Sequence, residues 1–155
     1  MDIGIDFGIS NIDVAIKIKG EIRFCTFISS DESISDKFHN VINKLDIVVS
    51  EIKNIAVTGG KSSDLPDVFR SASITKVNEV MAIGQGAKDI YSIQDNAFVV
   101  VSAGTGTACI NYQANNFHHL GGISVGGGSL QGLAGWCGTG WRAVWRLWCR
   151  VESSP

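Results

Sequence analysis

The sequence predicts an α/β fold in which three antiparallel strands come first and helices alternate with strands after them. Three observations support this prediction. Residues 2–28 contain strand-like runs joined by a Lys19-Gly20 turn. Two later segments repeat apolar residues at helical spacing, and several short apolar runs end in glycine-rich turns. We therefore expect an open sheet with helices on its faces and a ligand site beyond the strand ends.

The three opening strands are predicted over residues 2–6, 12–19 and 22–28. The second strand alternates apolar and polar side chains, which is typical of a strand with one face buried. Lys19-Gly20 then closes a hairpin onto the third strand. The first strand runs into a turn at residues 7–11, where Gly8, Ser10 and Asn11 follow Asp6.

Two helices are predicted from their capping residues and apolar faces. Ser33 and Asp36 fit the spacing of a capping box, and apolar residues then recur through Val48 over about four turns. Asn78 caps a second helix whose apolar face reaches Ile90. Short strands are expected at residues 52–57, 74–77 and 97–101, the first and last of them buried, and we expect all of these strands to lie in one sheet.

Two glycine-rich turns suggest a phosphate cradle. The first spans residues 102–107 and the second spans residues 126–129, ahead of a predicted helix. Glycine leaves backbone N–H groups free to face an anion. The chain has 18 glycines where average usage gives about eleven, so tight structural turns are the alternative interpretation. The turns at residues 7–11, 58–60 and 102–107 all follow strands, and we expect them to meet at one sheet edge.

Composition narrows the class of protein. A chain of 155 residues suffices for one domain with a core, and we expect no second complete domain. A net charge of −2 without a Lys/Arg stripe gives no basis for nucleic-acid or anionic-membrane binding. No stretch approaches 18 apolar residues and the N-terminus lacks a signal-peptide pattern, so we expect a cytoplasmic protein with its four cysteines reduced.

Five segments in order carry a resemblance to a known family. They read IGIDFGISNIDVAI, AVTGG, NEVMAIGQGA, SAGTGTACI and HHLGGISVGGGSLQGLAG. Over residues 1–135 the chain resembles the type II pantothenate kinases, a branch of the actin/Hsp70/sugar-kinase ATPase superfamily. The resemblance implies an RNase H-like domain over residues 1–100 and the start of a second, similar domain over residues 101–135. It also implies transfer of the ATP γ-phosphate to pantothenate, the first step towards coenzyme A, with Mg²⁺ and in a homodimer.

The resemblance assigns phosphate contacts to three loops and a metal to one carboxylate. Asp6 matches the aspartate that helps to hold Mg²⁺, usually through water, and a simple turn cap is the alternative. The residues assigned to ATP are Asp6, Gly8, Ser10, Asn11, Gly104, Thr105, Gly106, Thr107, Gly126, Gly127 and Gly128.

Two further residues match catalytic positions of the family. Glu79 matches the carboxylate that accepts the proton of the substrate hydroxyl, and its place in a first helical turn favours the ionised form. Helix capping is the alternative. His119 stands where the family has an arginine that would stabilise the transferring phosphoryl group or the substrate, and a histidine is only partly charged near pH 7. A metal site at His118 and His119 is disfavoured, since adjacent strand residues face opposite ways.

Another departure lies near the first loop. The family has a Gly-Gly-Thr/Ser turn and a lysine there, whereas this chain reads Gly8-Ile9-Ser10-Asn11 and has Asp13 further on. A cationic phosphate contact is therefore expected to be missing.

The composition changes abruptly after Gly135. All four tryptophans fall between Trp136 and Trp148, and residues 136–155 also contain Cys137, Cys149 and three arginines. One interpretation is an amphipathic aromatic helix. We favour a change of reading frame near codon 136, because the family continues for roughly another hundred residues. Residues 136–155 are accordingly expected to be aberrant.

Two other functions stay open at this level. Another small-molecule kinase or an activator ATPase of the same superfamily would share the loops without needing Glu79. A catalytically inactive nucleotide-binding or dimerisation module would fit His119 and the missing remainder of the second domain.

Overall fold

The computed structural model describes residues 1–126 and Ser129, and these fall into two compact units. The first unit is Met1–Tyr91 and the second begins at Ser92. Gly127, Gly128 and the tail at residues 136–155, all subjects of predictions above, lie outside the described residues. No helix in the described part of the chain is long and apolar enough to span a membrane.

A six-stranded sheet forms the first unit, with the strand order β3-β2-β1-β4-β6-β5. β1 is antiparallel to β2 and parallel to β4, and β4 is parallel to β6. The three predicted opening strands and their hairpin are confirmed. The strands are β1 (Asp2–Phe7), β2 (Asn11–Ile18), β3 (Glu21–Ile28), β4 (Asn54–Thr58), β5 (Val68–Phe69) and β6 (Ala72–Lys76).

The core of the first unit lies on one face of this sheet, under helix α1 (Ile34–Lys44). Phe38, Val41 and Ile42 of the helix are buried, as are Ile5 and Ile55 of the central strands. Ser33 caps α1, because its hydroxyl accepts a hydrogen bond from the Asp36 N–H at 3.2 Å. The predicted cap of α1 is therefore confirmed.

The first helix is shorter than predicted. Leu45 takes an extended backbone conformation and ends α1, so the fourth predicted turn does not form. A 3₁₀ turn (Val49–Glu51) follows, and Val48 is 59% exposed. Ile47 and Val49 pack against the core from this irregular segment. The apolar residues after Lys44 thus fit a helical spacing without forming a helix. Ile47 and Val49 face the core, and Val48 between them faces solvent.

Helix α2 (Glu79–Ile90) begins where the sequence predicted. The Asn78 side chain accepts hydrogen bonds from the N–H groups of Val80 and Met81, at 2.9 and 3.4 Å. Gly84 is the buried residue of the helix, and Val80 is half-buried.

The second unit contains a three-stranded antiparallel sheet, β7-β8-β9. Its strands are β7 (Ala97–Ala103), β8 (Thr107–Gln113) and β9 (Asn116–Ile123). The expectation of a single sheet is wrong, since the strand at residues 97–101 pairs with β8 and not with the first sheet. The expectation that this strand is buried is also wrong, because Val99 and Val101 are 58% and 61% exposed.

A tight turn and a cluster of aromatic side chains account for the second sheet. Ala114 and Asn115 have φ values of 50° and 64°, which is the left-handed pair that a two-residue hairpin requires. One face of the sheet gathers Phe98, Tyr112 and Phe117, with ring centroids 4.8 Å apart in two of the three pairs. Ile110 is fully buried.

Candidate functional site

Asp6 lies near the carboxyl end of β1, beside the end of the neighbouring parallel strand β4. Asp6 is in register with Thr58 of β4 and, on its other side, with Asp13 of β2. Residues in register across neighbouring strands place their side chains on the same face of a sheet. This face is opposite the one that buries Ile5 and Phe7, because side chains alternate along a strand. Asp6 therefore stands outside the apolar core.

The surroundings of Asp6 are acidic. Partial burial raises the pKa of the Asp6 carboxyl above 3.8, and the negative charges of Glu79 and Asp13 raise this pKa further. No described residue donates a hydrogen bond to the Asp6 carboxylate. A divalent cation with oxygen ligands would offset this concentration of negative charge, so the residues present fit the magnesium ion that the sequence implies.

Beyond β4 the chain turns through Gly59 and Gly60, directly against Asp6. Both glycines have positive φ values, 71° and 45°. A Cβ on Gly59 would lie 2.9 Å from the carbonyl oxygen of Phe7 and would overlap the Asp6 carboxylate. Glycine is thus required here twice, for its backbone conformation and for the space that Asp6 occupies. The predicted meeting of the turns after β1 and β4 at one sheet edge is confirmed.

The turn between β1 and β2 is equally tight. A Cβ on Gly8 would lie 2.7 Å from the Asn11 carbonyl oxygen. The Ser10 carbonyl accepts a hydrogen bond from the Ser29 N–H at 3.0 Å, which ties the turn to the end of β3. Asn11 is the first residue of β2. Gly8, Ser10 and Asn11 therefore share the sheet edge at which Asp6 stands.

Glu79 is the first residue of α2, and its side chain is exposed. Asn78 supplies the side-chain cap of the helix, so Glu79 is not needed as the N-cap residue. The negative charge of Glu79 is one of the causes that raise the pKa of the Asp6 carboxyl. Helix α2 begins just after β6, which is parallel to β4, so Glu79 follows a strand end at the same edge of the sheet as Asp6. The roles of Glu79 as base and of Asp6 as metal ligand stay predictions.

The two glycine-rich loops meet within the second unit. A Cβ on Gly126 would lie 2.7 Å from the carbonyl oxygen of Gly106 and 2.8 Å from that of Gly104. The Thr107 hydroxyl donates a hydrogen bond to the Val125 carbonyl at 2.9 Å. Thr105 lies between the two glycines of the β7–β8 turn. Backbone therefore packs directly on backbone between the predicted phosphate loops.

The expectation that all three turns meet at the edge of one sheet is wrong. The turn at residues 102–107 connects β7 to β8, which are strands of the second sheet. The prediction rests on the fact that this turn follows a strand, as the turns after β1 and β4 do, and that fact does not determine to which sheet the strand belongs. Ser129, after the second glycine loop, is helical, and its hydroxyl donates to the Ser124 carbonyl at 2.9 Å.

His119 lies beside the first glycine loop of the second unit. In β9 it is in register with Ile110, and His118 is in register with Asn111, so the two rings leave opposite faces. A Cβ on Gly122 would lie 3.5 Å from His119 Nε2 and 2.7 Å from the Thr107 carbonyl oxygen. The His119 ring and the end of the loop thus flank Gly122. Both histidine side chains are exposed.

The sequence predicts the turn at residues 58–60 at this sheet edge but gives no site role to Thr58 or Gly59. Asp13 stands out in the sequence as a departure from the family, but its position beside Asp6 was missed. The available signal was strand register, because the short turn at residues 8–10 pairs β1 with β2 and places Asp6 opposite Asp13. Among the described residues, no three His, Cys, Asp or Glu side chains gather closely enough to hold a metal alone.

Comparison with known proteins agrees with the family resemblance that the motifs indicate. The chain is 31% identical over 137 residues to a type II pantothenate kinase of Bacillus cereus strain AH820, a match that covers 85% of this chain and 47% of that protein. It is 33% identical over 137 residues to a type II pantothenate kinase of Bacillus thuringiensis subsp. konkukian, with the same coverage. The chain therefore spans about half the length of the curated relatives it matches. No family model matches the chain.

Solved structures agree on the fold. The chain aligns with the activator of 2-hydroxyisocaproyl-CoA dehydratase from Clostridium difficile with bound ADPNP, at a TM-score of 0.66 and 18% identity, over 99% of this chain and 57% of that one. It aligns with the ethanolamine utilization protein EutJ of Carboxydothermus hydrogenoformans at a TM-score of 0.60 and 16% identity, over 92% and 58% of the two chains. These likenesses support the predicted fold class.

Proposed function

Because this chain is related by sequence to the type II pantothenate kinases and has the actin-like ATPase fold, we propose that it is part of an ATP-dependent pantothenate kinase. The reaction would transfer the ATP γ-phosphate to pantothenate and yield 4′-phosphopantothenate, the first step of coenzyme A biosynthesis. The observation that carries the proposal is that Asp6, near the carboxyl end of β1, and Glu79, just after the end of β6, lie at the same edge of the parallel strands as the glycine turns. A kinase of this kind needs a metal-binding carboxylate and a proton acceptor together.

Phosphate binding is assigned to backbone amides of the turns. Gly8, Ser10 and Asn11 of the first unit are proposed to bind ATP phosphates, and the turn at residues 104–107 of the second unit is proposed as a second phosphate loop. Backbone N–H groups in such turns bind anions without help from charged side chains. Gly126 belongs to this group through its contact with Gly106, and Gly127 and Gly128 are proposed by continuity with it.

Asp6 and Glu79 would have different tasks. Asp6 would hold Mg²⁺, which supplies neutralisation of the phosphate charge when it is bound with ATP. Glu79 is exposed at the start of α2, where it has access to a substrate hydroxyl and would accept its proton. The positive end of the helix dipole favours the ionised carboxylate that this task requires.

His119 is proposed to contact the transferring phosphoryl group or the substrate. Its support is its position beside Gly122, next to the end of the glycine loop. A neutral imidazole donates one hydrogen bond where an arginine would offer a charged fork, so we expect weaker stabilisation. The domain limits at residues 1–100, 101–135 and 136–155, a homodimer and a cytoplasmic location are further proposals that follow from the family.

Phosphorylation assays with the full chain test this function. Pantothenate, a hexose and N-acetylmannosamine would each be incubated with labelled ATP and Mg²⁺. We expect product with pantothenate, and a loss of roughly a hundredfold or more for Glu79→Gln. ATP binding should persist in that variant. Glu21→Gln, a change of an exposed glutamate at the start of β3, is the matched control and should leave turnover unchanged.

The outcomes separate the alternatives. Product from a sugar but not from pantothenate would assign the chain to another small-molecule kinase of the superfamily. ATP hydrolysis without any phosphorylated acceptor would favour an activator ATPase of the superfamily. ATP binding without turnover would favour an inactive nucleotide-binding module.

A further inference from the structure

A small cavity opens between helix α1 and strand β3, on the core side of the first sheet. Its volume is about 140 Å³. Its inner wall is apolar and consists of Ile12 of β2, Phe27 of β3 and Val41 of α1. Ile12 and Val41 are buried, whereas Phe27 is only half-buried. Helix α1 therefore leaves part of β3 uncovered, and the gap is the α1–β3 cavity.

Two lysines of helix α1 line the same cavity. Lys37 and Lys44 lie two helical turns apart, so they stand on the same side of the helix. Lys37 Nζ donates a hydrogen bond to Ser29 Oγ at 3.2 Å, and this partner is neutral. Within the described part of the chain, no carboxylate forms an ion pair with either lysine. Two positive charges therefore border the cavity without a matching carboxylate.

A carboxylate at the rim has other partners. Glu32 also lines the cavity, and its Oε2 accepts hydrogen bonds from the Ser30 hydroxyl at 3.0 Å and from Asn40 Nδ2 at 2.9 Å. Both donors are neutral groups, so Glu32 is held in place without a lysine. With Lys37 and Lys44 on the other side, the lining carries a net positive charge.

We propose that the α1–β3 cavity binds a small organic monocarboxylate. The hydrocarbon part lies on Phe27 and Val41, and the carboxylate lies at Lys37 and Lys44. A lysine gains more from an ionised acceptor than from a neutral hydroxyl, because hydrogen bonds between charged groups are the stronger ones.

The volume of the cavity limits the size of this acid. An apolar cavity of about 150 Å³ is large enough to bind benzene. The α1–β3 cavity has nearly this volume, and butyrate has as many non-hydrogen atoms as benzene. A short-chain acid such as butyrate therefore fits, with its chain in the apolar part and its charge at the lysines.

The cavity is separate from the proposed kinase site. Ile12 and Phe27 face the core, whereas Asp6 stands on the opposite face of the sheet. One backbone hydrogen bond, from the Ser29 N–H to the Ser10 carbonyl at 3.0 Å, joins the segment beside the cavity to the turn after β1. Binding of the acid therefore goes beyond the proposed function and does not need kinase activity.

The test is a titration of the full chain with butyrate, followed through backbone amide chemical shifts in two-dimensional NMR spectra. Sodium chloride at equal ionic strength is the blank. We expect saturable shifts at Phe27, Val41 and their neighbours, with a dissociation constant in the millimolar range that so small a ligand allows. Butyramide, the uncharged analogue of the same shape, should bind at least about tenfold more weakly.

Variants of the two lysines test the role of charge. Lys37→Gln and Lys44→Gln keep long polar side chains but lose the positive charge, and each should weaken butyrate binding at least about fivefold. Lys53→Gln is the matched control, because Lys53 is exposed and does not line the cavity. This control should bind butyrate as the wild type does.

Three results would overturn the proposal. They are shifts that do not saturate or do not centre on the cavity, equal affinity for butyrate and butyramide, and unchanged affinity in both lysine variants. The spectrum of each variant also reports whether it is folded. If Lys37→Gln fails to fold, Lys44→Gln decides, since Lys44 is an exposed residue at the end of α1.

Discussion

The backbone of Gly126 lies directly against that of Gly106. A Cβ added to Gly126 would stand 2.7 Å from both the carbonyl carbon and the carbonyl oxygen of Gly106. Carbon atoms of real side chains do not approach a carbonyl this closely, so only glycine fits. The two glycine-rich loops are therefore held together by a backbone contact.

Gly126→Ala should consequently destabilise the second unit. We expect the free energy of unfolding to fall by about 1–3 kcal/mol, because the added methyl group forces the loops apart. Gly104→Ala is the matched control, since its added Cβ meets nothing within 4 Å, and it should change stability by no more than about 0.5 kcal/mol. Urea denaturation of both variants measures the difference. Equal stability of the two would contradict the contact.

Gly59→Ala tests the turn below Asp6. Alanine there must adopt a φ near 71° and must also displace the Asp6 carboxylate. Gly20→Ala imposes a similar conformational cost, with a φ of 93°, but its Cβ enters open space. We expect the Gly59 variant to lose at least about 1 kcal/mol more than the Gly20 variant in thermal denaturation. A smaller loss at Gly59 would show that Asp6 is not packed against it.

Asp6→Asn should stabilise the protein at neutral pH. Burial, Glu79 and Asp13 raise the pKa of the Asp6 carboxyl above 3.8, so the fold favours the protonated form. Wild-type stability therefore falls as the pH rises from 3.8 through the raised pKa, and stays lower above it. Because the carboxylate is partly exposed and screened by water, we expect a gain of less than about 1 kcal/mol for Asp6→Asn at pH 7.

The pH dependence provides the control for this prediction. Well below 3.8 the wild-type carboxyl is largely protonated in both the folded and unfolded states, so the two proteins should have similar stability there. Denaturant titrations at pH 2.5 and pH 7 compare them. A variant that is less stable than wild type at pH 7 would contradict the prediction, because it would mean that the fold stabilises the Asp6 charge.

Asn78→Ala should weaken helix α2 at the end that carries Glu79. The Asn78 side chain accepts hydrogen bonds from two N–H groups of the first turn, which would otherwise lose their protein partner. We expect a loss of about 1 kcal/mol, with most of it recovered in Asn78→Ser, which keeps an acceptor oxygen. Thermal denaturation of the three proteins measures this series. Similar losses in the serine and alanine variants would argue against side-chain capping.

Much of the first unit was predictable because its signals are local. The alternation of residues 12–19, the Lys19-Gly20 turn and the caps at Ser33 and Asn78 each lie within a few residues of the structure they specify. The family resemblance was carried in the same way by five short segments. The end of α1 was less predictable, since the apolar residues after Lys44 fit a helix and an irregular buried segment equally well.

The placement of the third turn was not predictable from local signals. An apolar run such as the one in β7 predicts that a strand forms, but it does not predict which strand it pairs with. Pairing depended on the left-handed turn at Ala114 and Asn115 and on the cluster of Phe98, Tyr112 and Phe117. These features joined β7 to β8 and β9 in a separate sheet.

The sequence by itself determined the strand and helix order of the first unit, the two helix caps and the identity of the glycine-rich loops, because backbone conformation follows from neighbouring residues. Only the tertiary structure decided that Asp6 stands between Asp13 and Thr58, and that Gly126 lies on Gly106. Those relationships join residues far apart in the chain, and they arise from strand register and close packing, which depend on the fold as a whole.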